Sequence, residues 1–241
     1  MRRPEPSRLR ARVLLVALVA HIAGCTNGGS DYYPLEAGRW WQYETTTTIL
    51  EETARQKFVV SNLGEATVGG RDIAAQRVQA KHLRYYERRP DGIFRVGKRS
   101  PSSPKLTPDD PPLMVVPAAS TGPDTEPFPI PSGLRLIESK TFARTDQLRP
   151  RRLPVALTGR VVERDAVVTV PAGRFVGCLV IEATGERFVP ADRGNTTARV
   201  EVRQRDWFAP GVGLVRVERT ERSDSPFLKA GRYLRELERY R

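Results

Sequence analysis

Arg199-Val200-Glu201-Val202-Arg203-Gln204-Arg205-Asp206-Trp207-Phe208 decides the fold class. Val200 and Val202 fall on one side of an extended chain, and Phe208 shares their parity. Arg199, Glu201, Arg203 and Arg205 fall on the other. A strand with one apolar and one wet face belongs to an antiparallel sheet. A turn comes next: Pro210 stops the ladder, and Gly211 or Gly213 supplies a positive φ or a bulge. The next segment, Leu214 to Thr220, alternates again, with Val215 and Val217 set against Arg216 and Glu218.

The same grammar extends outward. In Arg39 to Ile49, Trp41, Tyr43, Thr45, Thr47 and Ile49 share one face, and Trp40, Gln42, Glu44 and Thr46 the other. Val161 to Val170 and Phe175 to Ala183 are β-branched runs joined by the turn Pro171-Ala172-Gly173-Arg174. The spacing predicts an all-β chain, an antiparallel meander forming a curved sheet or half-barrel. Tyr233 to Tyr240 fits either a strand or a helical stripe. Gly97 to Gly133 holds ten of the 20 prolines. We expect an exposed, poorly ordered insertion around 98–127, with Leu113 to Val116 as a short edge strand.

Three pairs of landmarks hint at two similar halves. Tyr33-Pro34-Leu35-Glu36-Ala37-Gly38 is like Phe128-Pro129-Ile130-Pro131-Ser132-Gly133. Gly70-Arg71 is like Gly173-Arg174, and Gly92-Ile93-Phe94-Arg95-Val96 is like Gly213-Leu214-Val215-Arg216-Val217.

The N-terminus carries an address. Arg2, Arg3, Arg8, Arg10 and Arg12 face one acid, Glu5, and an apolar run from Val13 comes after them. A basic region before about a dozen apolar residues is a secretory signal, too short for a comfortable membrane span. The run ends Ile22-Ala23-Gly24-Cys25, which resembles the bacterial lipobox. That resemblance implies cleavage before Cys25 and acylation of its sulfur and amine, and leaves an ordinary signal peptide with a chance Cys as the alternative. Residues 1–24 are then the signal, 25–31 a small polar tether, and 32–241 one β domain. Thr26 rather than Asp after the Cys implies transport to the outer membrane of a Gram-negative cell, facing the periplasm.

Composition excludes more than it assigns. The chain of 241 residues has two Cys and two His, of which the domain keeps Cys178 and His82. That rules out an internal disulfide framework and a Cys/His zinc cluster. Cys178 amid Val176 and Val180 is expected to be a buried thiol behaving as a small hydrophobe, with intermolecular pairing as the alternative. His82 is expected on the surface or an edge strand. Gly92 to Arg99 nearly spells a P-loop, but Arg99 stands where Ser or Thr must hold magnesium, and no helix pattern comes after it. We expect a hairpin strand there instead. Ser102-Ser103-Pro104-Lys105 lies in a proline tract rather than at a helix start. Asp109-Asp110 is expected to be solvated. No catalytic set, metal or cofactor is implied.

Net charge is +12, with 34 of the 40 cationic residues Arg. Export disfavours nucleic acid as a partner. Anionic headgroups or lipopolysaccharide fit better.

Tyr33-Pro34-Leu35, Gly38, Trp40-Trp41 and Tyr43, then Val170-Pro171-Ala172-Gly173 and Phe175, then Trp207 to Val215, together resemble a family of uncharacterised bacterial envelope lipoproteins. That family is similar in architecture to the half-barrel of outer-membrane lipoprotein carriers. The likeness implies that Tyr233 to Tyr240 is a last strand. It also implies a concave face on which a lipid would lie. Trp40, Trp41, Tyr43, Trp207 and Phe208 either line such a concavity or are plain core. Two functions stand as expectations. One is a non-enzymatic binding or assembly module joined to the membrane by its lipid and contacting another envelope protein or lipid. The other is a carrier of an acyl chain or other apolar ligand.

Overall fold

The computed structural model describes residues 32–68, 70–79, 81–118, 126–131, 155–190, 197–226, 228 and 230–241. The signal and tether, with Cys25, lie outside the described residues. Twelve strands are present among those described: β1 (Trp40–Ile49), β2 (Glu52–Val68), β3 (Arg71–Val78), β4 (His82–Arg89), β5 (Gly92–Ser100), β6 (Ser103–Pro117), β7 (Phe128–Ile130), β8 (Leu157–Val170), β9 (Gly173–Pro190), β10 (Thr197–Ala209), β11 (Gly213–Ser223) and β12 (Gly231–Tyr240). All pair antiparallel in one sheet of order β6-β5-β4-β3-β2-β1-β12-β11-β10-β9-β8-β7. Apart from β6 and β7, each strand lies beside its sequence neighbour, with β1 and β12 also joined. The sheet is an up-and-down meander whose seam falls between β6 and β7. Those two edges meet through side chains, Val116 of β6 sharing a core with Phe128 and Ile130 of β7. The result is a nearly closed barrel, with Tyr233 to Tyr240 as a strand.

The alternation that predicted β10 holds. Val200, Val202 and Phe208 are buried and Arg199, Arg203 and Arg205 are exposed. A register shift against β11 falls between Trp207 and Phe208, yet leaves Phe208 on the Val200 face. The turn beyond it places both Gly211 and Gly213 at positive φ, 69° and 101°. In β8 the buried set changes parity, from Leu157, Gly159 and Val161 to Ala166, Val168 and Val170. Register shifts between Val161 and Ala166 cause the change, because each extra residue turns the next side chains over. The far half of the β8–β9 hairpin thereby reaches β12. Ala172 N donates to Leu237 O at 2.9 Å, and the Phe175 and Tyr240 rings lie 6.0 Å apart.

Two of the three paired landmarks sit six strands apart in equivalent places. Gly70-Arg71 and Gly173-Arg174 open β3 and β9, and Gly92 and Gly213 open β5 and β11. The third pair does not match in place, since Tyr33 to Gly38 precedes β1 while Phe128 lies within β7.

Residues 98–117 differ from the expected loop. They complete the β5–β6 hairpin, and the ordered edge strand extends well beyond Leu113–Val116. Pro104, Pro108, Pro111 and Pro112 are compatible with β6 because an edge strand has donors on one side only to satisfy. Residues 119–125 lie outside the described set. Asp109 corrects the expectation of solvated acids. Arg95 Nε and Nη2 donate to its two carboxylate oxygens at 2.6 and 3.0 Å, and both side chains are over nine-tenths buried. Asp110 is exposed.

Candidate functional site

The residues entering the first strand fill the barrel. Tyr33 turns its ring to within 5.2 Å of Tyr86 and 6.3 Å of Phe208. Its hydroxyl donates to Gln76 Oε1 at 3.2 Å, as does that of Tyr86 at 3.1 Å. Gln76 Nε2 donates to Asn62 Oδ1, and Asn62 Nδ2 to the Pro34 carbonyl. Buried amides on β2 and β3 thus tie the entering segment across the sheet. Burial holds the Tyr33 and Tyr43 phenols well above their ordinary range.

The expected aromatic group is divided. Trp41 and Tyr43 are buried together. Trp41 Nε1 donates to Val212 O at 2.7 Å, and Tyr43 Oη to Leu214 O at 2.8 Å. Both belong to a core with Val215, Leu237 and the β8–β9 tip. Phe208 belongs to a second core with Leu179, Ile181 and Val202. Trp207 is half-buried, with the Arg216 guanidinium 5.7 Å from its ring. Trp40 is half-buried on the opposite face of β1 from Trp41. The five do not form one wall. Between Tyr33, Trp41, Tyr43, Gln76, Arg84 and Arg235 there remains a space of about 40 Å³. That admits a few water molecules, an order of magnitude below an ordinary ligand site.

A charged layer adjoins these cores. Arg235 of β12 lies over the rings of Phe58 and Tyr43, at 5.1 and 5.7 Å, and its Nε donates to the Tyr233 hydroxyl. Gln204 Nε2 donates to both oxygens of Asp206 at 3.0 Å. Burial pushes the Asp206 carboxyl up to about 6, against the pull of Gln204, Arg235 and Arg219. Arg219 and Glu221 pair beside them, both buried. Sequence reasoning missed these groups. The available signal was parity: Arg219 and Glu221 continue the Val215–Val217 face, and Asp206 the Val200–Phe208 face.

The structure also places the other residues singled out in the sequence. Cys178 is fully buried, and burial raises its thiol to about 11. His82 is exposed at the start of β4. Gly92 opens a strand instead of a phosphate loop, at φ 149°, with Val116 O where a Cβ would stand 2.4 Å away. Among the described residues no three His, Cys, Asp or Glu side chains converge to hold a metal. A larger open cleft of about 370 Å³ lies at one end of the barrel, by Thr48, Leu50, Arg222 and Arg232.

Residues 138–226, rather more than a third of the chain, match the model of a family described as DUF3108-like. No curated protein matches. Two solved structures are similar. One is a candidate lipoprotein of Parabacteroides distasonis, 14% identical with TM-score 0.40, covering 87% of this chain and 98% of its own. The other is a candidate exported protein of Bacteroides fragilis with a YmcC-like fold, 12% identical with TM-score 0.39, covering 86% and 97%.

Proposed function

We propose that the chain is a lipid-anchored protein of the Gram-negative outer membrane, its barrel acting as a non-enzymatic binding or assembly module. The anchor rests on the order basic region, apolar run, Ile22-Ala23-Gly24-Cys25. The observation that carries the module reading is the packing of Trp41, Tyr43 and Phe208 into two separate cores among the described residues. The side chains that would line an acyl cavity are committed to one another, and about 40 Å³ is left between them. Contacts with a partner then fall to the outer face and the two ends of the barrel.

Native mass spectrometry of protein solubilised from its host tests this. The expected mass is the chain from Cys25 with its covalent acyl groups and no further lipid in stoichiometric amount. A non-covalent acyl ligand retained one-to-one would overturn the module reading in favour of a carrier. Cys25→Ala should abolish metabolic palmitate labelling, and retained label would refute the anchor.

A further inference from the structure

We propose that the tip of the β8–β9 hairpin is the face of the domain that rests on the phospholipid bilayer. The inference builds on the lipid anchor at Cys25 and adds which surface meets the membrane. Seven residues, 25–31, separate the acylated position from the described domain. Fully extended they span at most about 25 Å. The domain begins at Tyr32, whose hydroxyl donates to Gly177 O at 3.0 Å. The anchored end is therefore this hairpin tip. Leu50, at the far end of β1, lies a ten-residue strand away, about 33 Å.

The tip has the surface chemistry of an interfacial contact. Val167 lies on β8 where β9 carries an extra residue, opposite Val176 and Gly177. The two valines are 53% and 55% exposed. The Phe175–Tyr240 ring pair adjoins them, and Tyr240 is itself exposed. Aromatic rings with one wet end favour the headgroup level. Exposed Arg174, Arg239 and Arg241 flank the rings, and basic side chains beside apolar ones favour an anionic leaflet. Arg241 is held at this end by paired backbone bonds to Trp40, at 3.0 and 3.1 Å. The acids nearby are Glu238, engaged by Lys57 and Gln42, and Glu163 and Asp165 farther along β8.

The test places an environment-sensitive fluorophore on Val176→Cys or Val167→Cys in the full-length lipidated protein, with Leu50→Cys as the distal control. Cys178 is fully buried and Cys25 acylated, so the label goes to the introduced thiol. The protein is reconstituted in phosphatidylethanolamine–phosphatidylglycerol vesicles with and without nitroxide lipids. We expect blue-shifted emission at 176 and 167, and quenching there several-fold stronger than at 50. Arg174→Glu should weaken that quenching. Protein that floats with the vesicles but is quenched equally at 176 and 50 would overturn this inference alone. Protein that carries no acyl group would overturn the anchor, and this inference with it.

Discussion

Phe208→Ala is the most direct test of the register on which the barrel is built. The ring is 2% exposed and sits among Leu179, Ile181 and Val202, with Tyr33 edging it at 6.3 Å. Removing a buried phenyl forfeits roughly 2–3 kcal/mol of apolar transfer. The cavity left among these packed neighbours adds about 1–2 kcal/mol, so the expected loss is about 3–5 kcal/mol. For a domain of this size that lowers Tm by about 10 °C. Trp207→Ala removes a half-buried indole and its contact with Arg216, a partly solvated cation–π pair of about 0.5–1 kcal/mol. It should cost less than half as much. Thermal denaturation of both variants, monitored by circular dichroism, gives the order. If Trp207→Ala is the more damaging, Phe208 does not lie on the Val200 face and the shift at Trp207/Phe208 has been assigned to the wrong side.

Three further outcomes are expected. Asp109→Ala should cost about 3–5 kcal/mol, because it strands the buried Arg95 guanidinium; Arg95→Met together with Asp109→Leu should recover much of the loss in urea melts, and failure to recover would point to a role beyond pairing. The Asp206 carboxyl titrates near 6 in the fold, above its unfolded value of about 3.9. Its contribution is therefore fully present below about pH 4 and is lost as pH rises through 6, by at most about 3 kcal/mol. Asp206→Asn should flatten that part of the stability–pH curve, and an unchanged slope between wild type and variant would contradict the buried assignment. Gly92→Ala should unfasten the β5–β6 hairpin, since its Cβ would meet Val116 O at 2.4 Å. Protease cleavage within residues 98–117 then accelerates; unchanged resistance would refute the close approach.

Strand identity was legible because it depends on local alternation, and β1, β10 and β11 carry it cleanly. What escaped the sequence depends on partners. The proline tract pairs as β6 because β5 supplies a ladder on one side, a fact invisible in the tract itself. Asp109 is buried because Arg95, fourteen residues away, meets it bidentately across that same hairpin. The parity change in β8 requires bulges, which insert residues without altering composition. Trp41 and Phe208 were both legible as core-or-cavity candidates, but their separation into two cores was not. It depends on the β8–β9 tip folding onto β12. The charged layer around Arg235 and Asp206 went unread because Arg and Asp at apolar-parity positions look like interruptions of a pattern instead of its interior.

The arginine surplus has a structural use that narrows where a partner can bind. Along the outer face, Arg199 meets Glu186 and Glu201, Arg160 and Arg205 share Glu182, and Arg216 lies between Glu218 and Glu236. Such exposed pairs contribute little stability each, but they occupy cationic side chains with their cross-strand neighbours. The outer wall of β9 to β12 is therefore a mixed-sign lattice and not a single basic field. Inside, Arg219, Arg235 and Arg95 are committed to carboxylates and aromatic rings. Removing the carboxylate partner of Arg219 or Arg95 would strand a buried charge. Exposed positive charge and apolar surface meet at the hairpin tip, with Arg174, Arg239 and Arg241 near Val167, Val176 and Tyr240, and again at the opposite end, with Arg222 and Arg232 by Leu50. A barrel whose described interior is occupied by its own side chains and whose wall is laced with paired charges leaves its two ends, the hairpin tip and the cleft by Leu50 and Arg232, as the surfaces open to a partner.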